Sequence, residues 1–144
     1  MSFLDSMHTV GSALTAERFR MDTILQNMTN AKTTRTANGE PYRRKQVIFQ
    51  ERAFDFQSAL DNASAKVENA GVRVTEIVES DRDFVPVFDP THPDANEDGY
   101  VMYPNVNMTE ERVDLMAAAN AYDANFTALQ IVKTLALKAL EIGK

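Results

Sequence analysis

The sequence predicts an α+β protein in which long N- and C-terminal helices flank a small β-rich middle domain. Three observations predict this class: apolar residues recur at three- and four-residue steps near both ends, two segments between them alternate like strands, and a proline-rich stretch follows. With 144 residues, of which 44% are hydrophobic, the chain has the size of one ordinary globular unit. We expect a division into residues 1–34, 35–108 and 109–144.

The first helix is predicted over residues 3–31. Its apolar stripe consists of Phe3, Met7, Val10, Leu14, Met21, Ile24, Leu25 and Met28. These side chains share one face at about 100° per residue, so this face is expected to be buried. Phe19 lies far from the stripe, and the pattern leaves open whether it is simply exposed or contacts another neighbour. Polar residues 32–36 and the Asn38-Gly39 turn signal end the helix.

The middle of the chain contains two predicted strands, residues 42–51 and 72–79, which are rich in β-branched and aromatic side chains. Residues 54–70 are interpreted as a loop or a short helix. Residues 84–104 contain four prolines and a glycine, which exclude a long helix or a central strand throughout. We therefore expect an ordered loop with short extended pieces there.

The second helix is predicted to begin at Thr109, because Glu110 and Glu111 supply the negative charge that a first helical turn favours. Gly143 ends it. Near its end, apolar residues surround most of the helix: Leu129, Ile131, Val132, Leu135, Leu137, Leu140 and Ile142. One partner helix covers only a narrow seam, so this segment requires more than one apolar neighbour.

The two helices are longer than a small middle domain can cover, at roughly 40 and 50 Å for 1.5 Å per residue. Either they pair within one chain, or they lie in a coiled-coil-like inner region formed with other subunits. The apolar circumference near the C-terminus favours assembly. The predicted subunit-interface residues are Met7, Val10, Leu14, Met21, Leu25, Met28, Tyr122, Asn125, Phe126, Leu129, Val132 and Leu140.

The sequence predicts no catalytic, metal-binding or cofactor-binding residues. It has no cysteine and two histidines, and it lacks the common nucleophile and phosphate-binding motifs. Asp94, Asn96, Asp98 and Gly99 match the opening of an EF-hand loop, but Asn105 replaces the final glutamate. A solvated turn is favoured. Carboxylate pairs such as Asp81/Asp83 and Glu110/Glu111 lie in no recognisable cleft.

The formal charge of −6 argues against a nucleic-acid partner. Residues 1–52 hold eight basic and five acidic residues and residues 53–144 hold seven and sixteen, giving +3 and −9. As the explanation of this uneven charge distribution, an ordinary solvated surface is favoured over electrostatic docking between subunits. The basic cluster Arg43-Arg44-Lys45 is expected at a solvated strand edge. No apolar run reaches the ~20 residues of a membrane span, and no cleaved signal is visible.

Several motifs together resemble the bacterial flagellar rod and hook proteins. They are GSALTA at residues 11–16, NMTNA at 27–31, NGEPYR at 38–43, DPTHPDA at 89–95, YVMYPNV at 100–106 and AYDAN at 121–125. The later motifs are similar to those of the proximal-rod members, and they occur in order along nearly the whole chain. Thr29 and residues 32–37 depart from the family pattern.

The resemblance implies a non-enzymatic structural subunit of the proximal rod in the basal body, which transmits torque from motor to hook. It implies helical assembly with copies of itself, with other rod proteins and with the basal-body membrane ring and export apparatus. It also implies a periplasmic position reached by type III export without a cleaved signal, and no direct membrane insertion. A small acidic secretion chaperone or adaptor is the alternative, and a calcium-dependent protein is a third hypothesis.

Overall fold

The computed structural model describes residues 3–52 and 71–142. Its elements are helix α1 (Phe3–Thr29), strands β1 (Lys45–Glu51), β2 (Val72–Glu79), β3 (Val85–Phe88) and β4 (Tyr100–Tyr103), and helix α2 (Met108–Ile142). This order confirms the predicted α+β class with terminal helices. The loop or short helix predicted over residues 54–70 lies outside the described residues.

The two helices pack against each other, and this is the most extensive contact between elements in the described part of the chain. Asn27 near the end of α1 meets Glu111 near the start of α2, so the helices run antiparallel. Pairing within one chain, which the sequence left open, is therefore present. Since α1 has 27 residues and α2 has 35, about 12 Å of α2 projects past α1 at 1.5 Å per residue.

The strands form two separate antiparallel hairpins. In the first, β1 pairs with β2 from Lys45 opposite Glu79 to Glu51 opposite Val72, with a register shift after Ile48. This hairpin packs on α1, which matters because an isolated two-stranded hairpin is at best marginally stable. In the second, β3 pairs with β4 within the proline-rich stretch, where short extended pieces were expected.

The apolar core is small. In the described ranges, the buried hydrophobic residues are Ala16, Ile24, Tyr42, Val101 and Ala118. Many large apolar side chains on both helices and on the β3–β4 hairpin are exposed instead. Most monomeric proteins avoid large contiguous apolar surface, so this distribution indicates that further surface is covered by other chains.

Three element boundaries differ slightly from the sequence prediction, and the first is that α1 ends at Thr29 rather than residue 31. The first strand begins at Lys45 rather than residue 42, because the preceding residues enter a buried hydrogen-bond network instead of the ladder. The second helix begins at Met108, and Asn107 caps it: its side-chain oxygen accepts a 2.9 Å hydrogen bond from the Thr109 N–H.

Candidate subunit interface and the polar node that positions it

A buried polar cluster joins the two helices to both hairpins. We call it the polar node and define it as Asn27, Tyr42, Arg44, Asn105 and Glu111, all of which are buried. The five residues come from α1, from the segment between α1 and β1, and from the start of α2 and the segment before it. The node therefore fixes how the helices are oriented relative to the middle of the chain.

Asn27 uses its whole side-chain amide in the node. Its Nδ2 donates to the Lys45 carbonyl at 2.8 Å and to Glu111 Oε2 at 3.0 Å. Its Oδ1 accepts from the Tyr42 hydroxyl and from the Lys45 N–H, both at 2.9 Å. Two donors and two acceptor positions are thus satisfied, which is the requirement for burying an amide without an energetic penalty.

Arg44 and Glu111 form a buried ion pair at the centre of the node. Arg44 Nε donates to Glu111 Oε1, and Arg44 Nη2 donates to Asp114 at 2.8 Å. Burial alone would lower the pKa of Arg44, but the hydrogen bond and charge of Glu111, with Asp114 and Glu110, outweigh it and raise the pKa above its ordinary value. Arg44 therefore stays charged in the folded chain.

This ion pair corrects the expectation that residues 43–45 form a solvated strand edge. Arg44 is 6% exposed because a carboxylate on α2 covers it. Arg43 is half-buried, with its guanidinium 4.4 Å from the centre of the Phe84 ring. Lys45 is half-buried near the Tyr42 ring. The three basic residues thus hold parts of one chain together.

Asn105 connects the node to the β2–β3 segment. Its Oδ1 accepts from the Arg44 N–H at 2.7 Å, and its Nδ2 donates to the carbonyls of Ser80 at 3.1 Å and Arg82 at 2.8 Å. The residue lies in the PNV motif, which the sequence singled out only through its resemblance to other proteins. The structure assigns the motif a physical role, since one amide joins its own stretch of backbone to two others.

Tyr42 lies at the edge of the node with its hydroxyl directed at Asn27. Burial of the ring, followed by the negative charges of Glu111 and Glu79, raises the pKa of Tyr42 to about 12. A phenolate there would lose its hydration and face two carboxylates. The hydroxyl therefore remains a neutral donor throughout the physiological range.

The twelve predicted interface residues divide into two groups by exposure. Eight are half-buried within a single chain: Val10, Leu14, Met21, Met28, Tyr122, Asn125, Leu129 and Val132. Four are exposed: Met7, Leu25, Phe126 and Leu140, with Leu25 at 47% and Leu140 at 70%. The first group already shields part of its surface inside the chain, whereas the second group leaves apolar surface for a neighbour.

Helix α2 carries further exposed apolar residues that the predicted interface set omitted: Val113, Met116, Ile131, Leu135 and Leu137. At about 100° per residue, Phe126 and Leu137 fall on one side of α2, and Ile131 and Leu135 fall on nearly the opposite side. Neither side coincides with the face of Ala118, which is fully buried. Helix α2 thus presents two apolar surfaces in addition to the one that contacts α1.

The loop that resembles a calcium site closes on itself. Asn96 Oδ1 accepts from the N–H groups of Asp98 at 3.1 Å and Tyr100 at 2.8 Å, and Gly99 has a positive φ of 80°. Asp94 contacts Thr34 and Arg35. Within residues 3–52 and 71–142, no group of three or more acidic, histidine or cysteine side chains is placed to hold a metal ion. In the same ranges no helix combines the length and apolarity needed to cross a bilayer.

Comparison with known proteins gives full-length relatives. The chain is 47% identical to the flagellar basal-body rod protein FlgC of Bacillus subtilis, with all of both chains covered. It is 37% identical to FlgC of Borreliella burgdorferi over 99% of this chain and 98% of that one. It is also 36% identical to FlgC of Escherichia coli O6:H1 over all of both chains. The chain belongs to the FlgC family.

A family model described as the C-terminal part of the flagellar basal body rod proteins FlgEFG matches residues 97–142 of this FlgC family member. The match covers β4 and α2, the region that carries both Asn105 and the exposed apolar faces. The predicted resemblance is confirmed. Members of this family are structural components of the flagellar basal-body rod, not enzymes, and the secretion-chaperone alternative is not supported.

The polar node of this FlgC family member was not predicted from the sequence. Asn27 and Asn105 were noted only as parts of motifs, and Glu111 was interpreted as first-turn charge on a helix. A signal was present. Asn27 lies three residues after Ile24, about one helical turn further along α1, and therefore shares the buried face of this helix. Its polar partners are 15, 18 and 84 residues away, which no local pattern reveals.

Proposed function

We propose that this chain is a subunit of the proximal rod that polymerises through the exposed apolar faces of its terminal helices and transmits torque from the motor towards the hook. The observation that carries the proposal is the pair of apolar surfaces on opposite sides of α2, which remain exposed although α1 already covers a third face. A helix that is apolar on several sides is stable in water only when several neighbours pack on it.

The node supports the mechanical part of this proposal. Torque applied to the helices reaches the middle of the chain only if the helices and the middle segments move together. Arg44, Asn105 and Glu111 link α2, the β1–β2 hairpin and the segment before β3 through buried hydrogen bonds. Buried polar groups with satisfied partners are costly to separate, so the subunit resists internal shear.

The same proposal includes the location and the partners. We propose that the chain occupies the periplasmic part of the basal body, where it contacts copies of itself, other rod proteins, the basal-body membrane ring and the export apparatus. Export through the flagellar type III system without a cleaved signal accords with helices that gain much of their stability from neighbours, since such segments pass a narrow channel before they order.

The central test places a charge on one apolar face of α2. In Ile131→Asp the carboxylate would be buried in the subunit contact, so we expect loss of swimming and absence of the chain from isolated basal bodies. Ile131 is 56% exposed in the single chain, so the helical content of the purified variant should be unchanged.

Thr134→Asp is the matched control. Thr134 is exposed, lies one turn further along α2, and has polar neighbours on this helix in Gln130, Lys133, Lys138 and Glu141. The same new charge there should leave swimming and incorporation intact. Normal swimming of cells that carry only the Ile131→Asp chain would contradict assembly through this face. Equal loss in both variants would show that any charge on this helix is harmful, and would contradict the proposed surface as well.

A further inference from the structure

An open groove of about 650 Å³ lies between α1 and the β1–β2 hairpin. Its apolar wall includes Met7 and Phe19 of α1, which are 37% and 39% exposed, with Val74 of β2 beside them. Phe19, for which the sequence left open exposure or contact with a neighbour, is exposed in the single chain and forms part of a concave surface. The volume is within the range of about 300 to 1,000 Å³ that binding pockets usually have.

The rim of this groove is basic. Arg52 and Arg73 line it, and both are exposed. Arg73 donates to Gln50 at 3.0 Å, and neither arginine has an ion-pair partner among the residues that the structure describes. Two exposed guanidinium groups beside exposed aromatic and methionine side chains form a surface that suits an apolar segment flanked by carboxylates.

The β3–β4 hairpin has this complementary character. Register places Pro86 opposite Met102 and Phe88 opposite Tyr100, so these four side chains share one face. Phe88 is 65% exposed and packs edge-to-face on Tyr100 with 5.3 Å between ring centres. The connecting loop carries Glu97 and Asp98, both exposed. An aromatic ridge thus ends in two carboxylates.

The hairpin of one chain cannot fill the groove of that same chain. Asp94 in its loop accepts a 2.8 Å hydrogen bond from Thr34 and lies 3.7 Å from Arg35, beyond the C-terminal end of α1. The groove lies along residues 7–19 of α1. The ten residues from Phe19 to Thr29 alone separate the two sites by about 15 Å.

We propose that the groove of α1 receives the β3–β4 hairpin of a second copy of this chain, with Phe88 against Phe19 and Met7, and with Glu97 and Asp98 facing Arg52 and Arg73. The inference rests on the proposed function, because it names a second contact between rod subunits. The two surfaces differ, so the contact is head-to-tail, and in the proposed rod it repeats from one subunit to the next along the helical assembly. The charges set the register of the contact.

The experiment uses the absence of cysteine from the sequence. One chain carries Thr15→Cys, which lies on the groove, and the other carries Thr91→Cys, which lies on the hairpin loop and takes no part in the assigned charge contact; both positions are exposed. Both chains are expressed together in swimming cells, and their basal bodies are isolated and treated with a short bis-maleimide. We expect a cross-linked dimer containing one chain of each kind. Thr29→Cys, which is exposed on α1 outside the groove, is the control in place of Thr15→Cys and should give none.

Charge reversal tests the register. Arg73→Glu in the Thr15→Cys chain should lower the cross-linked fraction at least about ten-fold, because it places like charges together. Asp98→Arg in the Thr91→Cys chain should restore the cross-linked fraction. If the cross-linked fraction stays low when Arg73→Glu and Asp98→Arg are combined, the assigned charge contact is wrong.

Three other outcomes overturn the inference. They are a cross-link to a different rod protein, an intramolecular cross-link in a third chain made with both cysteines, and no dimer although the chain is present in basal bodies and cells swim. The last result would leave the proposed function intact. Absence of the chain from basal bodies would instead remove both proposals.

Discussion

The side-chain amide of Asn27 donates a 3.0 Å hydrogen bond to the carboxylate of Glu111, which lies 84 positions further along the chain. The same carboxylate accepts from Arg44, so α1 and the segment before β1 hold one buried anion on α2. A buried charge is tolerated only when its partners are present. The pairing of the two terminal helices and the position of the hairpins therefore depend on each other.

The first prediction concerns this anion. Glu111→Gln removes the charge and leaves Arg44 buried with only the partly exposed Asp114 as a counter-charge. We expect the free energy of unfolding of the purified chain to fall by roughly 3 to 5 kcal/mol, which is the usual cost of breaking a buried pair from one side. Urea unfolding followed by circular dichroism measures it.

The neighbouring Glu110 supplies the matched control. It pairs with Arg82 at 2.9 Å, and both side chains are exposed. The hydrogen bond from Arg82 lowers the pKa of Glu110. Glu110→Gln should therefore leave the free energy of unfolding nearly unchanged, because an exposed ion pair is screened by solvent. Equal effects of the two substitutions would show that the node does not carry the stability assigned to it.

The second prediction follows from the raised pKa of Tyr42. Burial, with the charges of Glu111 and Glu79, lifts this pKa from 10.0 to about 12. Between these values the unfolded chain loses the phenolic proton while the folded chain keeps it, so stability is complete below pH 10 and falls as pH rises towards about 12. The free energy of unfolding measured across this range should show that decline.

Tyr42→Phe removes the titrating group and should flatten the alkaline decline. At neutral pH it should cost about 0.5 to 1.5 kcal/mol, because the hydrogen bond to Asn27 is lost. Tyr100→Phe keeps the node intact and removes an exposed hydroxyl, so the decline should persist. An unchanged slope in Tyr42→Phe would assign the alkaline loss to other groups.

The sequence predicted the elements better than their connections. Apolar periodicity located α1 and α2 closely, and alternation placed β2 at its observed bounds. These signals are local, because side chains three or four residues apart share a helix face and alternate residues share a strand face. The structural role in the basal-body rod was predicted from motifs spread along the chain, and the relatives confirm it.

The node could not be predicted in this way. Arg44 looked solvated, since a basic residue at a strand edge usually is, and Glu111 fitted the electrostatic preference of a helix start. Both local interpretations were reasonable, but the ion pair between positions 44 and 111 replaces them. A tertiary contact between charged residues 67 positions apart leaves no periodic trace in one sequence.

The third prediction concerns the start of α2. Asn107 accepts a 2.9 Å hydrogen bond from the Thr109 N–H, which otherwise has no partner within the helix. Asn107→Ala should lower the free energy of unfolding by about 1 kcal/mol. Asn120→Ala changes an exposed residue in the interior of the same helix and should be neutral or slightly stabilising, since alanine is the better helix former. A larger loss in Asn120→Ala would contradict the capping role.

The last prediction compares two glycines. Gly71 is buried with φ at +156°, and a Cβ built there lies 2.5 Å from Ser12 Oγ. That hydroxyl cannot easily move, because it donates to the Thr9 carbonyl at 2.7 Å and accepts from the Val72 N–H at 3.0 Å. Gly71→Ala should therefore separate β2 from α1 and lower the free energy of unfolding by about 1 to 3 kcal/mol.

Gly11, which precedes Ser12 in α1, is the opposite case. It lies inside α1, and a Cβ there meets nothing within 4 Å. Gly11→Ala should raise the free energy of unfolding by about 0.5 to 1 kcal/mol, because alanine restricts the unfolded chain and favours the helix. Both variants are compared by urea unfolding of the purified chain. A stabilising Gly71→Ala would mean that β2 does not approach Ser12 as closely as the hydrogen bond to Val72 requires.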